Sequence, residues 1–184
     1  YQEKNKRTVI CAVETLRNLG WQIPDWAVVQ GFANVCSLTG LRGRWEILRQ
    51  QPLVVCDTGH NSHGLRYVAE QLRLLQCRRL HIVFGMVSDK DIEQSLSLLP
   101  TDAVYYFTQA QTKRAVTAED MQKLFLQVKG EKKITTYTYS TVADAVCVAL
   151  KNADETDAVF IGGSNYVVGE ALRLNENYPK NSAE

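Results

Sequence analysis

Apolar residues along this chain follow two rhythms, one helical and one strand-like, and the polar residues collect where one gives way to the other. After Asn5, the positions Val9, Ile10, Ala12, Val13, Leu16 and Leu19 recur at helical spacing and Gly20 follows as a stop, which predicts a first helix of about four turns. Ile23-Pro24-Asp25 opens a second, shorter helix through Trp26, Val28, Val29 and Phe32, weakened by Gly31. A glycine-punctuated turn from Gly40 to Arg44 leads into Trp45-Glu46-Ile47-Leu48-Arg49, whose alternation reads as a strand with one exposed face. Gln50-Gln51-Pro52 turns the chain back, and so short a connection pairs this strand antiparallel with the next.

The rest of the chain is organised around that next strand. Leu53 to Cys56 is apolar throughout and bounded by Pro52 and Asp57, so it reads as a strand buried on both faces, with Asp57, His60 and Asn61 placed where it ends. Ser62 is the expected N-cap of the helix carrying Leu65, Val68, Ala69, Leu72 and Leu75. From there strand and helix alternate. Leu80 to Phe84 is a strand, Ile92 to Leu99 a helix stopped by Pro100, and Ala103 to Phe107 a strand rich in aromatic and β-branched residues. Thr117 to Asp120 forms a capping box for a helix ended by Gly130, Ile134 to Tyr139 is a strand and Thr141 to Asn152 a helix. Ala158 to Ile161 is the last strand, delivering Gly162-Gly163-Ser164-Asn165 into a final helix. Such alternation argues for βαβ units with right-handed crossovers. The expected fold is α/β: a Rossmann-like three-layer domain whose mostly parallel sheet of about six strands carries one antiparallel edge strand. Residues 1–39 are expected as a helical lead-in packed on the domain, 40–176 as the Rossmann-like domain and 177–184 as a frayed tail, in one structural domain overall.

Composition narrows the partners. The 21 lysines and arginines against 20 acids leave a net charge of +1, so neither nucleic acid nor a membrane surface has a field to respond to. No apolar run approaches the roughly 18 residues of a membrane span. The opening Tyr1 to Lys6 is neither a signal nor a transit peptide, and the missing initiator methionine suggests a fragment or a processed chain. Cys11, Cys36, Cys56, Cys77 and Cys147 are scattered, with no Cys-x-x-Cys pair, as expected of reduced residues in a cytoplasmic protein. His60 and His63 are three apart but lack a cysteine or carboxylate at matching spacing, so no metal site is expected, and His81 at a strand start reads as structural.

Candidate chemistry concentrates on loops at strand ends, where open α/β sheets hold ligands. Asp57, His60 and Asn61 place an acid, an imidazole and an amide on one such loop, although Asp and Asn also shape turns and cap helices. The chain has no Gly-x-x-x-x-Gly-Lys-Ser/Thr and no Gly-x-Gly-x-x-Gly. Gly163-Ser164-Asn165 lacks the frame of a nucleophilic elbow, so Ser164 reads as a binding residue rather than a nucleophile.

Taken in order, Gly43-Arg44, Asp57-x-Gly-His60-Asn61, Gly85-Met86 with Asp89-Lys90-Asp91, Arg114-Ala115, and Gly162-x-Ser164 followed by Val168-Gly169-Glu170 resemble the C-terminal domain of folylpolyglutamate synthase and dihydrofolate synthase, members of the Mur ligase superfamily. Tyr1-Gln2-x-x-Asn5 resembles the segment that joins the family's ATPase domain to this one. Thr58 stands where the family more often has alanine or another small residue. The resemblance implies an ATP-dependent ligase in the cytoplasm. In the family, a folate carboxylate is activated as an acyl phosphate and the amino group of L-glutamate attacks it to give a γ-glutamyl amide. The P-loop and the Mg2+ ligands belong to the N-terminal ATPase domain, absent here, which is the partner expected for this chain in a monomeric enzyme that takes ATP, L-glutamate and folate or dihydropteroate. By position, Arg44 resembles the arginine that reaches the ATP phosphates, Asp57 the acid that meets the nucleotide through ribose hydroxyls, and Asn5 a residue near the adenine. His60 then sits beside the reacting centre and Ser164 on the glutamate side. The roles of Asp89, Lys90, Asp91 and Arg114 stay open. A non-catalytic Rossmann-type binding module, or an autonomous hydrolase using Asp57 and His60, also fits the bare pattern.

Overall fold

The computed structural model describes residues 3–88, 91–130 and 133–177. Tyr1, Gln2, Asp89, Lys90 and the segment 178–184, which holds most of the expected tail, lie outside the described residues. The chain divides into two compact units, Tyr1–Arg42 and Gly43–Glu184.

The first unit is helical: α1 (Glu3–Asn18), α2 (Asp25–Ala33) and α3 (Val35–Thr39). The periodicity after Asn5 accounts for α1, and Arg17 ties its last turn to the start of α2, donating from Nε to the Ile23 carbonyl (2.7 Å) and from Nη2 to Asp25 Oδ1 (2.7 Å). The pattern missed α3, whose five residues are too few to show a helical period. Apolar side chains of this unit, Trp21 and Trp26 among them, are largely exposed.

The second unit holds β1 (Glu46–Gln50), β2 (Leu53–Asp57), α4 (Ser62–Leu74), β3 (Leu80–Phe84), α5 (Ile92–Leu98), β4 (Val104–Thr108), α6 (Ala118–Lys129), β5 (Thr136–Tyr139), α7 (Val142–Asn152), β6 (Ala158–Gly162) and α8 (Asn165–Asn177). The six strands form one sheet in the order β1-β2-β6-β3-β4-β5. Only β1 runs antiparallel, against β2; the other four pairings are parallel, as the sequence pattern predicts. Strand β6, last in the chain, lies in the middle of the sheet, with Phe160 opposite Val55 on one side and Ile82 on the other.

Alternation along each strand divides the core. Ile82 and Phe84 of β3 pack with Leu65, Val68 and Leu72 of α4, Leu96 of α5 and Met121 and Phe125 of α6. Val83, between them, joins Cys56, Val159 and Ile161 against Val142, Ala145 and Ala149 of α7 and Val167, Val168 and Ala171 of α8. Three helices thus cover one face and two the other, and each fully buried Leu, Ile, Val or Phe contributes about 1.5–3 kcal/mol by leaving water. Cys56 is fully buried in this core, one residue before the loop of interest.

At the amino ends of the strands the sheet is closed by a satisfied polar network. Asn152 Nδ2 donates to the Tyr106 hydroxyl (3.2 Å), which donates to His81 Nδ1 (3.0 Å). His81 Nε2 donates to Asp157 Oδ2 (3.3 Å), and Asp157 also accepts from Arg78 Nε (3.2 Å) and the Asp154 amide (3.0 Å). His81 is therefore neutral, its pKa lowered chiefly by burial. Burial opposes ionisation of Asp157, but the Asp154 amide, Arg78 and His81 outweigh it and hold its carboxyl down at about 2. The structural role expected of His81 is what the fold gives it.

A group whose folded pKa is depressed contributes stability that is present above its ordinary value and lost as pH falls through the folded one. Asp157→Asn should therefore lower the urea midpoint of the chain at pH 7, and the gap to wild type should narrow steadily between about pH 4 and pH 2. A gap that stays constant across that range, in paired denaturation curves, would show that Asp157 contributes packing alone.

Candidate active site

Strand order places this site. The connections leaving β2, β3 and β4 run through α4, α5 and α6 on one face, whereas β6, inserted between β2 and β3, continues into α8 on the other. Neighbouring strands whose chains depart to opposite faces leave a crevice at their carboxyl ends. The loops after β2, β3, β4 and β6 all open there, and those after β3, β4 and β6 are laced together. The Gly85 amide donates to the Gly162 carbonyl (3.3 Å), and a Cβ on Gly163, whose φ is +97°, would lie 2.7 Å from the Gly85 oxygen. Ser88 donates to the Arg114 carbonyl (2.9 Å), Val116 to that of Met86 (3.1 Å), and the Gln111 amide to Glu170 Oε1 on α8 (2.7 Å).

Arg44 is carried into this edge on a clamped turn. Residues on either side of it take uncommon backbone conformations, Gly43 at φ +71° and Trp45 at φ +48°. Asp57 Oδ2 accepts the Trp45 amide at 2.7 Å, while Oδ1 accepts that of Gly59 at 2.7 Å. The Gly43 carbonyl accepts from both the amide (2.9 Å) and the hydroxyl (3.0 Å) of Thr58, and its amide donates to Glu46 Oε2 (2.7 Å). The Trp45 ring packs on Phe160 of β6, centroids 6.1 Å apart. Arg44 itself is exposed and has no hydrogen bond or ion pair among the described residues.

His60 is half-buried, and its Nδ1 lies 2.9 Å from the Thr58 carbonyl. A carbonyl only accepts, so Nδ1 carries a proton and Nε2 is the ring nitrogen left to meet a ligand. Asn61, at φ −139° and ψ 165°, is the N-cap of α4, its side chain accepting from the Gly64 amide at 2.8 Å. Ser62, expected as the cap, is instead the first helical residue, because the cap must still be extended where the helix begins.

Two expected contact residues have other occupations. Asp57 is 1% exposed, and each of its oxygens holds a backbone amide, so the carboxylate fastens the Arg44 turn to the end of β2. Ser164 is 2% exposed, and its Oγ accepts the Val167 amide at 3.1 Å, capping α8. Asn5 lies exposed in the first turn of α1, in the other unit. Asp91 caps α5 by accepting the Gln94 amide at 3.1 Å. Thr58, to which the sequence pattern assigned no role, bonds across fifteen residues to Gly43.

A guanidinium without a partner among the described residues, a half-buried imidazole and two helix N-termini, those of α4 and α8, suit an anionic ligand. His60 leans on a carbonyl rather than on Asp57, so the oriented acid–histidine pair of a hydrolase is not assembled. Among the described residues, no three His, Cys, Asp or Glu side chains gather to hold a metal ion, and no helix is long and apolar enough to cross a membrane. A concavity of about 820 Å3 opens at the opposite edge, by Arg79, His81, Tyr106 and Tyr137, and its buried His81 and Tyr106 make their hydrogen bonds within the protein.

The family model for the Mur ligase glutamate ligase domain matches residues 43–165. A probable bifunctional folylpolyglutamate synthase/dihydropteroate synthase of Haloferax volcanii is 33% identical over 93% of this chain and 19% of its own length. The dihydrofolate synthase/folylpolyglutamate synthase of Escherichia coli is 28% identical over 89% of this chain and 36% of its own. Among solved structures, E. coli FolC in complex with DHPP and ADP superposes with a TM-score of 0.76 at 26% identity, covering 90% of this chain and 38% of that one. The chain therefore spans well under half the length of the proteins it matches. With one matched segment running from the Arg44 turn to the loop that caps α8, and the same sheet beneath it, this chain belongs to the Mur ligase family as a glutamate ligase domain.

Proposed function

We propose that this chain is the C-terminal part of an ATP-dependent carboxylate–amine ligase that joins L-glutamate to a folate or dihydropteroate carboxylate, as folylpolyglutamate synthase and dihydrofolate synthase do. The observation that carries this is the Arg44 guanidinium, unpartnered among the described residues and carried on a clamped turn that Thr58 links to the His60 loop, at the switch-point edge of a glutamate ligase domain. ATP, when bound, supplies the phosphoryl group that turns the acceptor carboxylate into an acyl phosphate. Arg44 binds its phosphates from the side of this domain; a permanently charged, forked donor suits that task. His60 Nε2 faces the reacting groups, where it can accept a proton from the attacking ammonium or hydrogen-bond the activated carboxyl. Asp57 and Ser164 enter as the residues that fasten the Arg44 turn and cap α8, and Asn5 stays assigned to the adenine side.

The metal does not fit this chain, since no suitable cluster of ligands exists among its described residues. Mg2+ and the P-loop are assigned to an N-terminal ATPase domain elsewhere in the ligase, consistent with the chain's share of its relatives' length. We place the whole enzyme in the cytoplasm as a monomer without nucleic-acid or membrane partners, in keeping with a net charge of +1.

In the ligase that carries this chain, Arg44→Ala should raise the KM for ATP roughly ten- to a hundredfold, the worth of one charge-assisted contact. His60→Ala should chiefly lower kcat, by roughly a hundredfold. Steady-state kinetics on variants with wild-type melting curves decides the matter, and an unchanged KM for ATP in Arg44→Ala would remove the phosphate role. The 184-residue chain by itself should show no magnesium-dependent ATP hydrolysis, because its sequence has no P-loop and no metal-binding cluster gathers among its described residues. Turnover by the pure chain would overturn the split of labour between two domains.

A further inference from the structure

We propose that Thr58 is a positioning residue that sets Arg44 and His60 relative to one another, an inference that rests on the reading of Arg44 as a phosphate-binding group. All three polar groups of Thr58 are spent on these two neighbours. Its amide and its hydroxyl both donate to the Gly43 carbonyl, at 2.9 and 3.0 Å, filling both lone pairs of the oxygen that immediately precedes Arg44. Its own carbonyl receives Nδ1–H of His60 at 2.9 Å, which orients the ring and keeps a proton on Nδ1. A single residue is thus bonded to the turn that carries the cation and to the imidazole.

Sterics reinforce the bonds. A Cβ on Gly43 would lie 2.8 Å from Thr58 Cγ2 and 3.0 Å from Val168 Cγ1 on α8, so the threonine methyl packs where a side chain at 43 would stand. On the far side of Arg44, Trp45 is held at φ +48° by the Asp57 carboxylate and by its ring against Phe160. An L-residue keeps that conformation only when its surroundings impose it, and such imposed conformations cluster where a site needs preorganisation. Arg44 hangs between two fixed residues, and its side chain amplifies any tilt of the turn at the guanidinium. Immobilising the turn in advance removes ordering that a ligand would otherwise have to impose.

Substituting at the hydroxyl separates positioning from mere packing. Thr58→Val keeps the shape and loses the second donor to Gly43, Thr58→Ser keeps the donor and loses the methyl, and Thr58→Ala loses both. In the ligase that carries this chain, Thr58→Val should raise the KM for ATP roughly three- to tenfold, the worth of one neutral hydrogen bond, with Thr58→Ser close to wild type. In the chain alone, hydrogen exchange at the Trp45 amide should quicken in Thr58→Val and not in Thr58→Ser. Arg44→Ala is measured alongside. If it raises the KM for ATP while Thr58→Val leaves both KM and exchange unchanged, the positioning role is overturned and the phosphate reading stands. If Arg44→Ala is silent but Thr58→Val still loosens the Trp45 amide, the clamp is supported and the phosphate reading falls. A lowered melting temperature in Thr58→Val with KM and exchange intact would reduce Thr58 to packing. Should Thr58→Val fail to fold, the Thr58→Ala and Thr58→Ser pair gives the same comparison.

Discussion

The strands at the centre of this sheet are buried on both faces, and that constraint governs where polar chemistry can exist. Every residue of β3 and of β6 is buried, so the apolar side chains along them are committed to one of two layers, and His81, near the start of β3, is the polar exception. A charged group inside such a strand would have to lose its hydration with nothing to replace it. Polar groups are therefore driven to the strand ends, and the two ends are put to opposite uses. At the amino ends Arg78, His81, Tyr106 and Asp157 satisfy each other, which closes the core. At the carboxyl ends Asp57 and Ser164 satisfy backbone amides, leaving Arg44 and His60 with groups to offer a ligand.

The carboxyl edge works by spending some polar residues on geometry so that others remain available. An acid seen beside a histidine on a loop invites a direct role in chemistry. Here the acid is almost wholly sheltered and serves the backbone. Its two bonds run from β2 to Trp45 and to Gly59, and the Thr58 bonds run parallel to them, so the β1 entry turn and the β2 exit loop are a single rigid piece. Loss of any member of this set is expected to be felt at Arg44 even though none of them need touch a ligand.

Most of the scaffold could be read in advance because burial writes a period into the sequence. Four apolar residues in Leu80–Phe84 and the spacing of Leu65, Val68 and Leu72 leave little choice of element, and alternation of the two fixes a mainly parallel sheet. Short elements escape this logic, as α3 did. The location of the candidate site was also legible, since polar runs after buried strands mark the carboxyl edge. The division of labour within it was not. Whether Asn61 or Ser62 caps α4 depends on one residue's backbone angles, and the work of Asp57 and Thr58 depends on partners twelve and fifteen residues away. No local pattern encodes a tryptophan at positive φ.

The insertion of β6 also bears on how the unit is made. Strand β2 ends at Asp57 and its parallel neighbour begins at Ala158, so roughly a hundred residues must be synthesised before the pair can form. At about 5–20 residues per second that interval is roughly 5–20 s, during which β2 has only β1 beside it and an apolar edge waits open. Nascent chains are thus at greatest risk of mispairing just before the last strand emerges. Substitutions in β6 that hinder its entry should be recognised by poor yield and aggregation in the cell, even where the finished protein melts at its usual temperature.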